Sequence, residues 1–146
     1  MKYEIVVYPD DRLKLISSPV EKIDNDLIDM INEMFRVMYE SDGCGLAGVQ
    51  IGVLQRLFVM EIKGKKYVMI NPEILERSKD YSIAEEGCLS LPGIGAEVKR
   101  SKKVTVKYTD IDGKEKILKA TGLLAICIQH EYDHLDGRFF YDRIDK

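Results

Sequence analysis

A surplus of positive charge is missing from this chain: 22 lysines and arginines face 25 aspartates and glutamates, a net charge of −3. Domains that hold nucleic acid usually carry a basic excess, so specific nucleic-acid binding is not expected. Long apolar runs are missing too. The start MKYEIVVYPDD has neither a basic region ahead of an apolar stretch nor a small-residue cleavage site, and no later run reaches membrane-spanning length. The expectation is a cytoplasmic protein with no membrane contact. Cysteine is scarce and odd in number, Cys44, Cys88 and Cys127, which does not build a disulfide framework and leaves reduced thiols free to act as ligands. Repeats, low-complexity tracts and linkers are absent, and 146 residues suffice for one core but not two. A single domain spanning residues 1–146 is expected.

Histidine is scarcer still, and what there is of it is concentrated. Both histidines of the chain, His130 and His134, fall in His130-Glu131-Tyr132-Asp133-His134, an H-E-x-x-H pattern. On a helix, residues four apart share a face one turn apart, so both imidazoles reach one metal ion while Glu131 stays beside a water bound there. A solvated helix carrying two surface histidines is the bland alternative. It is weakened by the apolar run Leu123-Leu124-Ala125-Ile126-Cys127-Ile128 just upstream, which points in almost every direction and marks a helix buried on most sides. Thr121 is the expected N-cap and Gly137 the stop.

The rest of the chain supplies a frame for that helix. Tyr3 to Tyr8 reads as a short strand turned by Pro9-Asp10-Asp11. From Asp24 or Asn25 as N-cap, Leu27, Ile28, Ile31, Met34, Phe35 and Met38 recur at helical spacing up to about Glu40. Ser41 to Gly52 is a glycine-rich loop around one amide side chain, Gln50. Leu57–Ile62 and Tyr67–Ile70 form a hairpin stopped by Asn71-Pro72, with a short strand to follow over Ile74–Arg77. Residues 83–93 read as extended backbone and loop, and Val104–Tyr108 with Ile117–Leu118 as a second hairpin. The basic run Lys99-Arg100-Ser101-Lys102-Lys103 reads as the solvated rim of a strand. The fold class is α+β: antiparallel strands packed around a buried C-terminal metal-binding helix, with a second, amphipathic helix near the N-terminus.

Two histidines need a third ligand. The long metalloprotease form would put one at position 140, which is Phe140, and only twelve residues follow His134. The ligand is therefore expected from upstream. Cys127, three residues before His130, sits too far along the helix and lines a pocket instead. Cys44 and Cys88 both lie beside glycines in loops, and Glu85, Glu86 and Asp133 stay open by geometry; a thiolate, as a strong ligand for zinc or iron, ranks the two cysteines first.

Three separated segments resemble the signature motifs of the peptide deformylase family: Gly43-Cys44-Gly45-Leu46-Ala47-Gly48-Val49-Gln50, Glu86-Gly87-Cys88-Leu89-Ser90 and Gln129-His130-Glu131-Tyr132-Asp133-His134-Leu135. The likeness extends to Tyr8-Pro9-Asp10 and Ile70-Asn71-Pro72-Glu73-Ile74, and so covers nearly the whole chain. The resemblance implies Cys88, His130 and His134 as metal ligands, with one divalent ion, Fe2+ natively and Zn2+ or Ni2+ as alternative occupants. It implies a hydrolase that removes the N-formyl group from the formylmethionine of newly made polypeptides, with Glu131 as proton carrier and Gln50 and the Leu89 backbone N–H as donors to the oxyanion. Cys44, Gly45, Gly87, Leu123, Ile126 and Cys127 are the expected substrate-binding positions, the last three as walls of a methionine pocket.

By aligned family positions, Asp42 and Arg100 are expected to pair near the site. The partners implied are formylmethionyl nascent peptides, whose origin implies proximity to the ribosome without implying affinity for it, and the chain is expected to be a monomer. Two departures stand out: Gly48 replaces the family's usual Ala, and the chain ends at Lys146 without the extended C-terminal helix of many bacterial members. The competing functions are a small metallopeptidase of H-E-x-x-H type and a non-catalytic metal-binding module, the latter disfavoured because one cysteine, two histidines and a neighbouring glutamate suit an open site.

Overall fold

The computed structural model describes residues 4–8 and 10–138, and the side chains of all of these except 91–94 and 96. Tyr3 and Pro9, expected at the start of a strand and in a turn, lie outside the described residues, as does the segment after Arg138.

The first helix, α1, runs Asn25–Glu40, and the side chain of its N-cap Asp24 accepts the Leu27 N–H. That bond satisfies one of the donors a helix start leaves orphaned. Leu27, Met30, Ile31, Met34, Phe35, Val37 and Met38 are its buried residues, while Ile28, expected on the same stripe, is only half-buried. Five strands form one antiparallel sheet in the order β1 (Gly45–Ala47), β2 (Leu57–Ile62), β3 (Lys65–Arg77), β6 (Lys103–Thr109) and β7 (Glu115–Thr121). A separate two-stranded ribbon pairs β4 (Tyr81–Cys88) with β5 (Leu91–Ser101).

Side chains alternate across a strand, and β2 uses both faces of the sheet. Leu57 and Val59 join Leu46, Ile70 and the apolar face of α1 in one core; Phe58, Met60 and Ile62 join Met69, Val104, Val106 and Ala120 in another. The second core is filled by α2 (Gly122–Leu135), through Ala125, Cys127, Ile128 and Leu135. The ribbon also meets α2, and its Val98 belongs to the same core. Gln129 fastens the contact: its amide nitrogen donates to Ser101 O at 2.8 Å and its oxygen accepts the Ser101 N–H at 3.1 Å. The expected burial of this helix holds from Ala125 to Leu135, apart from half-buried Ile126 and Tyr132, but its first turn is open, with Leu123 at 52% exposure.

Several local expectations are corrected. Residues 4–8 form no strand. Val6 N–H donates to Gln50 O and Tyr8 N–H to Ser90 O, so the segment ties down two different stretches instead of joining a ladder. Asp10 caps a short 3-10 helix, Asp11–Lys14. The loop over 41–52 contains β1 and a 3-10 helix, Gly48–Ile51, and these two elements are buried. Asn71-Pro72 does not end its strand. Asn71, at φ 50°, makes a bulge in β3, and its side chain exchanges two hydrogen bonds with the Val20 backbone. Thr121 occupies the N-cap position of α2 but makes no side-chain capping bond, because it is still the last residue of β7. Gly137 does follow the helix, at φ 73°.

Gly48 is where the chain has closed up around a missing methyl. A Cβ placed there would stand 2.9 Å from Val53 O and 3.1 Å from Gln55 O, both backbone atoms that cannot rotate away. Gly48→Ala is therefore expected to destabilise this protein by about 1–3 kcal/mol, as overpacking usually does, which denaturant unfolding would read directly.

Candidate metal centre

Each of the three motifs meets the others at one point of the fold. From α2, His130 and His134 project one turn apart, their rings edge to face with centroids 5.0 Å apart. From the end of β4 comes Cys88, whose Sγ lies 3.3 Å from His134 Nε2. One ligand atom from each of Cys88, His130 and His134 fits within 4.8 Å of the other two; among the described residues this is the sole such group. Cys44 and Asp133 are outside it, and so are Glu85 and Glu86.

Glu86 has a different place. Its Oε1 lies 2.8 Å from His130 Nδ1, and both its oxygens accept hydrogen bonds from Arg100, at 3.0 Å each. Arg100 reaches onward to Asp133 Oδ2 at 2.6 Å. The guanidinium and the two carboxylates are each more than nine-tenths buried, where charges persist only when paired. The network leaves Nε2 of His130 to face the ligand group, as an acceptor on the other ring nitrogen does in metal sites. Arg100 was expected in a solvated rim and paired with Asp42. Lys99, Lys102 and Lys103 are indeed exposed, but Arg100 and Ser101 turn inward, and exposed Asp42 is not among the ion-pair partners of Arg100 in the described residues. If Glu86 orients His130, Glu86→Ala should weaken metal affinity about 10–100-fold, measured by competition with a chromogenic chelator.

Gln50 is 1% exposed. Its Oε1 accepts the Ala47 N–H at 2.9 Å, which turns Nε2 towards Ser90 Oγ at 3.2 Å and Cys88 Sγ at 3.4 Å. Leu89 follows Cys88 in a turn. Glu131 is buried, and its Oε1 has no hydrogen-bond partner among the described residues. Gly45 makes room for it: a Cβ there would stand 2.5 Å from Glu131 Oε2. An open cavity of about 840 Å³ lies over these groups, lined by Cys44, Gly45, Gly87, Leu89, Leu123, Ile126 and Cys127 and also by Ile5 and Val7. Every residue expected to bind substrate thus borders one cavity with Glu131, Gln50, Cys88 and His130. His134 completes the ligand group from within the protein, fully buried.

The charges within this floor are uneven. Burial pushes Glu131 up to about 7, against the opposing charge of His130. Burial lowers His130, but hydrogen bonds to Cys88 and Glu86 outweigh it and hold the imidazole up to about 10; His134, buried beside that charge, is driven well below the usual range. Glu86 is also opposed by burial, yet His130 and Arg100 keep it below the ordinary carboxylate range. The Cys127 thiol, hydrogen-bonded to Cys44, pulls Cys44 down and is itself raised.

An acid whose pKa rises on folding costs stability once it must ionise, so the penalty grows from the unfolded value near 4.5 up to about 7 and persists above. Metal-free wild type should therefore lose stability relative to metal-free Glu131→Gln as pH rises through this window. Thermal melts of the two proteins across that range check it; parallel curves would refute the burial argument.

The residues present fit a cation. A thiol and two imidazoles are the donor set for zinc or iron, and the Glu131 oxygen that has no partner among the described residues calls for a proton-bearing neighbour at the same spot. Fold and site together define a metal-dependent hydrolase. Comparison with known proteins narrows the class. The sequence profile of polypeptide deformylase matches residues 2–146, and the chain belongs to that family. It is 48% identical to the peptide deformylase of Wolbachia sp. subsp. Brugia malayi (strain TRS) over 99% of its own length and 88% of the relative's. With the enzyme of Rhizobium meliloti (strain 1021) the identity is 44%, over 97% and 84%. Among solved structures, peptide deformylase from Thermotoga maritima superposes with a TM-score of 0.97 at 42% identity, covering 100% of this chain and 99% of that one. The Synechococcus elongatus enzyme, solved in complex with actinonin, gives 0.96 at 40%, covering 99% and 79%.

What sequence reasoning missed is the orienting network. Glu86 and Cys88 stand two apart on β4, a spacing that brings side chains to the same face of a strand. That signal appears only once residues 81–88 are read as a strand.

Proposed function

We propose that Cys88, His130 and His134 hold one divalent cation, Fe2+ natively with Zn2+ or Ni2+ as alternatives, and that the site removes the N-formyl group from formylmethionine at the start of newly made polypeptides. The observation that carries this reading is Glu131: a buried carboxylate with one oxygen that has no hydrogen-bond partner among the described residues, next to the ligand group at the floor of a substrate-sized cavity. When bound, the cation supplies Lewis acidity, polarising the formyl carbonyl and lowering the pKa of a nearby water towards the value of about 7 seen in zinc enzymes.

Glu131 takes the proton from that water, whose oxygen adds to the formyl carbon. The oxyanion that develops needs donors where charge appears. Gln50 Nε2, already aimed at the Cys88 sulfur, supplies one, and the Leu89 backbone N–H supplies the other. Glu131 then delivers its proton to the departing nitrogen as the C–N bond breaks, leaving formate and a free amine. Gly45 and Gly87 admit the substrate backbone, Cys44 borders it, and Leu123, Ile126 and Cys127 wall the methionine side chain.

The proposed chemistry calls on no residue of a second chain, and we take the monomer as the acting form. The substrate class supports a cytoplasmic location beside translating ribosomes, with no nucleic-acid contact required. The test is formate release from a formylmethionyl peptide by metal-loaded protein; cleavage at an internal peptide bond with no formate would favour the metallopeptidase reading instead.

A further inference from the structure

The metal reading uses one of three cysteines. The other two face each other: Cys44 Sγ lies 3.8 Å from Cys127 Sγ, and both residues line the cavity. They come from different elements. Cys44 sits at the bend between Gly43 and β1, and Cys127 stands on α2 one turn before His130. The pair is also asymmetric, since Cys44 is exposed and Cys127 buried. Cys88 is not a competing partner, because its sulfur is engaged by His134 Nε2 and Gln50 Nε2.

We propose that Cys44 and Cys127 form a reversible thiol–disulfide site in the cavity wall, closed by hydrogen peroxide and reopened by a dithiol. Cys44, the exposed partner, meets the oxidant first. Its sulfur attacks one peroxide oxygen, the O–O bond breaks, and the other oxygen leaves with the thiol proton as water, giving a sulfenic acid. The Cys127 sulfur attacks that sulfur, the S–O bond breaks, and the hydroxyl leaves with the Cys127 proton as a second water. Two thiols are oxidised, one peroxide is reduced to two waters, and one S–S bond forms. An S–S bond is about 2.0 Å long, so the two sulfurs must approach further. Cys44, exposed and flanked by Gly43 and Gly45 at the entry to an edge strand, is the side that moves, against the hold of the Glu61 N–H on its carbonyl oxygen at 2.9 Å. Closing the bond draws the loop that carries Gly45 towards α2 and narrows the cavity between them. The effect of that narrowing on turnover rests on the hydrolase reading above; the bond itself does not.

The experiment uses the zinc-loaded protein, because zinc has no redox chemistry of its own. After hydrogen peroxide treatment, alkylation and digestion without reductant, mass spectrometry should find the Cys44 and Cys127 peptides joined, lighter by two hydrogen atoms than the separate thiol peptides. The joined species should vanish with dithiothreitol and be missing from Cys127→Ser, in which Cys44 instead proceeds to higher oxidation states. In the oxidised wild type the KM for a formylmethionyl peptide should rise several-fold and return on reduction. Over-oxidised Cys44 beside an alkylated, free Cys127 in the wild type would overturn the proposal, as would a link from either residue to Cys88. A joined pair with unchanged KM would overturn the narrowing. Failure of the reduced protein to release formate would count against the hydrolase reading alone, since the peptide map would still decide the disulfide.

Discussion

Replacing Glu131 by alanine is expected to lower formate release by about 10²–10⁴-fold, the usual worth of a positioned general base, while metal content stays that of the wild type. At about 1.4 kcal/mol for each factor of ten, this is roughly 3–6 kcal/mol of the barrier. The reason lies in placement. Glu131 is buried at the cavity floor, one of its oxygens has no partner among the described residues, and burial raises its pKa to about 7 in the metal-free protein. A carboxylate held beside the ligand group at the cavity floor is placed to take a proton and give it back, which is what consecutive base and acid steps require. Glu131→Gln keeps the shape and removes the proton traffic, so it should fall by a similar factor. Formate release that survived in both variants, with metal still bound, would remove Glu131 from the mechanism.

The second large effect is on the metal itself. Cys88→Ala should lose most of its metal on dialysis, whereas Cys44→Ala keeps a full equivalent. In the structure, one ligand atom from each of Cys88, His130 and His134 fits within 4.8 Å of the other two, and losing one of three protein ligands leaves two imidazoles, one of them hydrogen-bonded to Glu86. Cys44, in contrast, is exposed and its sulfur faces Cys127. Metal analysis of the two variants after identical dialysis decides between the loops, and a Cys44→Ala protein emptied while Cys88→Ala stays loaded would reverse the assignment.

How far the sequence spoke follows from how local each feature is. The spacing of His130 and His134 reports a shared face directly, because a helix turns every 3.6 residues. The stripe of α1 and the two hairpins were legible for the same reason. The turn between β2 and β3, Lys63-Gly64 with both residues at positive φ, carries its own signal. Other features depend on partners far away in the chain. Arg100 sits amid lysines and reads as surface, yet the register of β4 against β5 turns it inward, where the carboxylates of Glu86 and Asp133 meet it. Nothing within five residues of Arg100 announces that. Asn71-Pro72 has the composition of a stop, but Val20, 51 residues away, satisfies the Asn71 side chain and lets the strand continue through a bulge. Choosing between Cys44 and Cys88 was likewise beyond spacing alone, since it depends on which loop crosses the helix; only likeness to a family pointed to Cys88.

The central claim is that this cavity hydrolyses a formamide at a chain terminus. Iron-loaded protein, prepared without oxygen and mixed with a formylmethionyl peptide, should release one formate for each new free amine, and should leave the same peptide intact when the formyl group is absent. Absence of formate from fully metal-loaded protein, or cleavage within the unformylated peptide, would contradict the account.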